Sequence, residues 1–371
     1  MTTLRDATSL PLADTPLGRT VALGPTDIWN DSCAVDELRY AIDYGAVGAT
    51  ANPTIVMDVW KKDPAANRAR VRTLAAERPD ALEDDIAWAM VEELSLRAAP
   101  LLLPTFERTG GRKGRLSMQT NPIFFRSADR IVAQARHFAS LAPNIVVKAP
   151  ATKAGIAAME EATYHGVSIN CTVSFSVAQA VAAAEAVERG LRRREAAGLQ
   201  TDDMGPVITI MVGRIEDWLR ALVDRDGIIT DPAAPAWSGV AVFKRAVAIF
   251  QERGYRARPL AAAIRHHLHW SEFIGGECVL TLPSAWQKRF NASAVEVRSR
   301  IDDPVDPAIV AELEARFPDF VRAYEPDGLT IDEFDAFPPT VRTLRGFVTS
   351  YHELLATVSD ALLPDPDTKP A

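Results

Sequence analysis

The chain has 371 residues, 47% apolar and 24% charged, the balance of a globular protein long enough for one large barrel or two ordinary domains. Its formal net charge of −8 counts against nucleic acid or an anionic membrane surface as the main partner. Its three cysteines, Cys33, Cys171 and Cys278, lack metal-ligand spacing and read as reduced, buried thiols of a cytoplasmic protein.

No apolar run approaches membrane-spanning length, and residues 1–20, with charges and prolines but no signal-like apolar core, read as a flexible N-terminal arm. A first strand is expected over 27–31, then a helix over 35–44 and a second strand over 46–52, ended by Asn52-Pro53. Helical material runs from 55 to about 105 and takes in Leu101-Leu102-Leu103. The turn Gly110-Gly111-Arg112-Lys113-Gly114 feeds a third strand, 115–120, and Ser127 is placed as the cap of a helix to 139. The fourth strand is the apolar run Ile145-Val146-Val147, ended by Lys148 and Ala149-Pro150. Thr152 caps the next helix, whose Ile156, Met159 and Thr163 fall near one face and which Gly166 closes. The fifth strand, 167–175, sets Asn170 and Thr172 two apart and so on one face. An alanine-rich helix, 177–197, precedes strand six, 207–212. A helix over 244–253 precedes strand seven, 259–265, and strand eight is 278–282.

Eight strands separated by helix-length segments are the pattern of a (β/α)8 TIM barrel. Beyond residue 290 the chain turns helical and charged, so 21–363 reads as one barrel domain with extra C-terminal helices. The last helix, 340–363, is amphipathic, with Leu344, Phe347, Tyr351, Leu354, Val358 and Leu362 along one side. The Pro/Asp-rich tail, 364–371, is expected to be disordered.

Chemistry in such a barrel sits at the C-terminal ends of the strands. The residues there are Asp31, Thr50, Asn52, Gln119, Lys148, Asn170, Thr172, Thr209, Arg214 and Arg265. Each has a plainer role open to it: Asp31 and Asn52 as caps, Thr172 as a sheet residue, the arginines as surface groups. Together they suit addition of a neutral amine to a ketone. A lysine has a pKa of about 10.4 in water, so a barrel interior or a nearby cation must lower it before Lys148 attacks. Asp31 is placed to move protons at a sugar hydroxyl, Asn170 to hold carbinol oxygens, and the two arginines to bind a phosphate.

With these motifs the chain resembles the transaldolases. The matching stretches are Ala49-Thr50-Ala51-Asn52-Pro53, Val147-Lys148-Ala149-Pro150-Ala151-Thr152, Ile169-Asn170-Cys171-Thr172-Val173-Ser174-Phe175-Ser176 and Val212-Gly213-Arg214-Ile215-Glu216-Asp217-Trp218. The resemblance runs over about 26–286 and implies a Schiff-base-forming transferase that works without cofactor or metal on small sugar phosphates, as a monomer or homodimer. It puts Lys148 at the Schiff-base position and Asp31 at the position that acts in carbon–carbon cleavage. Thr50, Asn52, Asn170 and Thr172 fall on donor-binding or water-holding positions, and Arg214 and Arg265 on acceptor-phosphate positions.

The chain also departs from that pattern. Gln119 stands where transaldolases carry a glutamate that works through a water, as in the related fructose-6-phosphate aldolases. Those aldolases have a tyrosine on strand six where this chain has Met211, and Thr209 and Ala263 each stand in place of a serine. The resemblance with these departures leaves three functions open: transfer of a dihydroxyacetone unit, with either the usual acceptor or one from specialised metabolism; aldol cleavage that frees that unit; or non-catalytic sugar-phosphate binding. The cluster His266, His267, His269 has only Glu272 as a near carboxylate in sequence and reads as a rim loop, and His165 as a helix-end residue.

Overall fold

A computed structural model describes residues 14–364, 366 and 367. The short apolar runs become eight parallel strands: β1 (Asp27–Asn30), β2 (Ala46–Ala51), β3 (Arg115–Gln119), β4 (Ile145–Pro150), β5 (Ile169–Thr172), β6 (Val207–Ile210), β7 (Arg258–Ala261) and β8 (Val279–Leu282). They pair in chain order and β8 closes onto β1. Parallel neighbours need a crossover, and helices between consecutive strands supply it, so the architecture is a (β/α)8 barrel.

Alternation along the strands sorts the barrel interior into layers. Trp29, Val146, Val207, Leu260 and Val279 form an apolar cluster of their own with Ala262, separate from the core between strands and helices. Two residues further on, and so on the same face, stand Asp31, Lys148, Thr209 and Thr281. Two residues back from Trp29 and Leu260 stand Asp27 and Arg258. An apolar floor therefore divides a charged layer at the N-terminal end from a polar layer at the C-terminal end. Gly48 makes room for the floor: a Cβ there would lie 2.5 Å from the Trp29 indole.

Several boundaries differ from expectation. Strand five stops at Thr172, because Val173 turns to φ 53°, and strand six stops at Ile210, because Val212 begins a helix. Strand seven ends at Ala261, which leaves Arg265 in the loop beyond it. The helix before it starts at Ala234, and the helical stretch from 55 is four helices, Pro53–Lys62, Pro64–Glu77, Glu83–Leu96 and Ala99–Arg108. Ser127 sits at an N-cap position without a side-chain cap bond, whereas the Thr152 hydroxyl accepts from Gly155 N at 3.0 Å. Within the expected arm, Pro16–Ala22 is a helix with Leu17 buried. Residues 1–13 of that arm, and 365 and 368–371 of the expected disordered tail, lie outside the described residues.

The C-terminal helix, Pro338–Leu362, buries Leu344, Phe347, Tyr351, Leu354 and Val358 along its stripe, with Leu362 partly covered. It packs on Pro53–Lys62, Pro64–Glu77 and Glu83–Leu96 and reaches the helix Val212–Asp226 that follows β6. Burying a side chain of this size is worth about 1.5–3 kcal/mol relative to exposure, which makes the stripe enough to hold the helix down.

Candidate active site

Register places the central residues. Lys148 on β4 is paired with Gln119 on β3 and with Asn170 on β5, so one layer carries an amide, the amine and a second amide side by side. Lys148 is buried, and desolvation pulls its pKa below the usual lysine value. Nearby Asp31 opposes that shift, and the Arg214 charge adds to it.

The other groups of the layer are held by one another. The Thr50 hydroxyl donates to Asp31 Oδ1 and lies 3.5 Å from the Thr281 hydroxyl. Asn170 donates from Nδ2 to Ser117 Oγ at 2.9 Å and accepts at Oδ1 from Thr209 Oγ1 at 2.7 Å. That fixes which way the amide points and leaves it one N–H for a ligand. Gln119 Oε1, Thr172 Oγ1 and Ser174 Oγ are buried without a hydrogen-bond partner among the described residues. Buried polar atoms are almost always paired, so the unpartnered Gln119 in register with Lys148, and Thr172 at the end of the neighbouring strand, suit a polar ligand. Asn52 is the exception among the candidates: its Oδ1 caps the helix Pro53–Lys62, accepting from Ile55 N at 2.9 Å.

The loop leaving β5 is under strain, since a β-branched residue is costly at positive φ and Val173 has φ 53°. Gln179, fully buried on the helix Val177–Ala196, braces it. Its Nε2 donates to Ala151 O at 3.2 Å, Val173 O at 3.3 Å and Thr340 Oγ1 at 3.1 Å, and its Oε1 accepts from Phe175 N at 3.0 Å. One amide thus ties the exits of β4 and β5 to the first turn of the C-terminal helix.

Arg214 stands in the first turn of Val212–Asp226, with Nε buried and without a partner among the described residues. Burial lowers its pKa, and the neighbouring Arg265 and Arg342 charges act the same way. Arg265 meets it from beyond β7, but its guanidinium is held by Asp217, with Nε to Oδ1 at 3.0 Å and Nη2 to Oδ2 at 2.7 Å. Gly213 is required for this approach: a Cβ there would sit 1.9 Å from Ala263 O, and Ala263 itself has φ 63°.

The histidine loop finds a different carboxylate from the one expected. Glu272 pairs instead with Lys244 at 2.9 Å, and Glu216 comes to the histidines, with Oε2 2.8 Å from His266 Nε2 and 3.7 Å from His269 Nε2. His269 is wholly buried, and burial holds its pKa well below the ordinary value, so it is neutral. Its Nδ1 accepts from Arg265 N at 3.2 Å, which puts the single proton on Nε2, the atom that would face a cation. That tautomer argues against a metal, and His269 instead accepts from the Arg265 backbone.

The structure thus brings Lys148, Gln119, Asn170 and Thr209 into one layer, links Asp31 to Thr50, sets Thr172 at the end of β5 and places Arg214 and Arg265 above. Sequence reading missed Ser117, Thr281, Asp217, Gln179 and Glu216. Ser117 was within reach, two residues before Gln119 and therefore on its face.

A family model described as Transaldolase/Fructose-6-phosphate aldolase matches residues 28–330. Among curated proteins, "Transaldolase" of Neisseria meningitidis serogroup A is 30% identical over 72% of this chain and 81% of its own. "Transaldolase" of Thiobacillus denitrificans is 28% identical over 89% of this chain and 96% of its own. "Transaldolase 2" of Streptomyces avermitilis is 28% identical over 78% and 84%.

Proposed function

The chain belongs to the transaldolase/fructose-6-phosphate aldolase family, and on that premise we propose that it moves a dihydroxyacetone unit from a ketose phosphate to an aldose phosphate through an imine on Lys148. The observation that carries the reading is a buried lysine, its charged form disfavoured, standing in register between two amides. Neutral Nζ adds to the C2 carbonyl of the ketose, and loss of water gives the imine. Asp31 takes the proton of the C4 hydroxyl as the C3–C4 bond breaks; the aldose leaves and the three-carbon unit stays on Lys148 as an enamine. An incoming aldehyde forms the new bond, Asp31 returns the proton to its oxygen, and water releases the product ketose and the free amine.

Asn170, held by Ser117 and Thr209, donates to the carbinol oxygen. Thr50 orients Asp31. Gln119 and Thr172 hold the water of imine formation and release by hydrogen bonds, although an amide cannot itself take the proton. Arg214 and Arg265 receive the phosphate. Small sugar phosphates are the ligands in this reading, which involves no cofactor, nucleic acid or membrane and places a monomer or homodimer in the cytoplasm. Among the described residues no helix is long and apolar enough to cross a membrane.

The test is reduction with borohydride in the presence of fructose 6-phosphate, followed by peptide mass spectrometry. An adduct on Lys148 is the expected result. An adduct on another lysine, or none on folded protein, overturns the mechanism. Turnover that requires an aldehyde acceptor separates transfer from free aldol cleavage.

A further inference from the structure

The C-terminal helix does more than cover apolar surface: it carries two residues into the neighbourhood of Arg214. Phe347 lies under the Arg214 guanidinium, 5.9 Å from Cζ to ring centroid. Five residues earlier in the same helix, Arg342 Nη1 donates to the backbone O of Asp217 at 3.1 Å. Asp217 is the residue whose carboxylate grips Arg265. Arg265 and Arg342 thus both bond to Asp217, one at its carboxylate and one at its backbone, and the charges of all three arginines act on one another there.

Their charges do not cancel. Among the described residues neither Arg214 nor Arg342 has a carboxylate in a salt bridge, while Arg265 has Asp217. Only one of the three guanidinium groups is paired with a carboxylate, an arrangement that suits an added anion such as a phosphate monoester. Arg214 also keeps a buried Nε without a partner among the described residues. Leaving like charges together costs stability unless an anion joins them, so the arrangement is one a phosphate completes.

Arg342 is also held in place. Thr340, two residues before it, is fully buried and accepts from Gln179 Nε2, the amide that braces the exits of β4 and β5. The helix start is thereby indexed to the strand ends that carry Lys148 and Thr172.

We propose that Arg342, delivered by the C-terminal helix, is a third cation of the phosphate site and a determinant of selectivity for phosphorylated sugars. The inference rests on the reading of Arg214 and Arg265 as phosphate ligands.

The experiment compares Arg342→Gln, Arg342→Lys and Arg214→Gln, each checked for an unchanged melting temperature. KM is measured for fructose 6-phosphate and for fructose, and inorganic phosphate is titrated as a competitive inhibitor. Arg342→Gln is expected to raise KM for fructose 6-phosphate about tenfold, to weaken phosphate inhibition in parallel and to leave kinetics with fructose unchanged, since one charge-assisted hydrogen bond is lost. Arg342→Lys restores part of both effects. If Arg342→Gln changes neither while Arg214→Gln raises KM, Arg342 only caps the Asp217 carbonyl and the inference falls, with the phosphate site intact. If neither variant discriminates between the two sugars, the phosphate reading itself falls.

Discussion

At the N-terminal end of the barrel the buried charges Asp27 and Arg115 and the partly buried Arg258 each have a partner, although Arg258 Nε has none among the described residues. Asp27 receives Lys113 Nζ at 2.8 Å and Arg258 Nη1 at 2.6 Å, and buried Arg115 donates to the carbonyls of Gly111, Ile145 and Asp203, with burial bringing its pKa down to about 10. At the C-terminal end, among the described residues, Lys148 is in no salt bridge and Gln119, Thr172, Ser174 and Arg214 each leave a buried polar atom unpaired. Yet a cavity of about 830 Å³ opens at the first end, lined by Asp27, Lys113, Arg258 and Tyr255. Asp27 in that lining is already held by two cations. Hollowness and function part company here: ion-paired charges make a foundation, and a buried amine without a counter-ion makes a site.

The sharpest way to break the contrast is at Lys148. Lys148→Arg is expected to abolish turnover and borohydride trapping, because a guanidinium stays protonated and cannot form an imine; a trapped, active Arg variant would put the nucleophile elsewhere. Next in size is Arg214→Ala. Loss of a charge-assisted bond worth about 1.5–3 kcal/mol raises KM roughly ten- to hundredfold for phosphorylated sugars only. Equal effects on phosphorylated and unphosphorylated substrates would make Arg214 structural.

The N-terminal end answers to a different assay. Asp27→Asn leaves Lys113 and Arg258 facing a neutral partner and should cost about 1–3 kcal/mol in urea unfolding, with kcat and KM unchanged, since Lys113 is partly exposed and its share is screened. A changed kcat would mean that the apolar floor does not insulate the two layers.

Lys148→Met inverts the sign. A buried amine with a lowered pKa destabilises the folded chain, so the variant should gain about 1–2 kcal/mol while losing all activity. The unfolded chain keeps the lysine proton up to about 10.4 and the folded chain releases it earlier, so wild-type stability rises with pH across that window. The Met advantage is therefore largest below the folded-state pKa and fades as pH approaches the unfolded value. Denaturant midpoints at several pH values check both statements.

The smallest effect is expected from Gln119→Glu. A carboxylate in register with Lys148 offers proton transfer but also stabilises the ammonium and undoes part of the desolvation. Less than a tenfold change on the fructose 6-phosphate and erythrose 4-phosphate pair should result, with the pH midpoint of trapping moved up. A gain of tenfold or more at an unchanged midpoint would mark an ordinary transaldolase impaired by one substitution.

The eight strands were legible because short β-branched runs such as Ile145-Val146-Val147 lie between turn and cap residues, and this local signal survives folding. Lys148, Gln119 and Asn170 were legible as strand-end residues of such a barrel. Strand seven was drawn too long because Ala261-Ala262-Ala263 continues the apolar run past the last paired residue, and positive φ at Ala263 has no signature in a residue other than glycine. Gln179 looked like any polar residue in an alanine-rich helix. Its importance comes from contacts far along the chain, and so does the approach of Glu216 to the histidines. Local pattern shows which face a residue takes; it carries no information about which distant segment arrives there.

The single amide of Gln179 sets a condition on motion. Any opening that lifts the start of the C-terminal helix breaks the bond to Thr340 and loosens the clasp on Val173 and Phe175. Val173, released from its unfavourable backbone angle, then has a driving force to relax. The loop beside Thr172 and a helix more than a hundred residues away in sequence are thus expected to breathe as one cooperative unit, with the Phe175 amide and the first bonded amides of that helix exchanging their hydrogens for deuterium at a common rate.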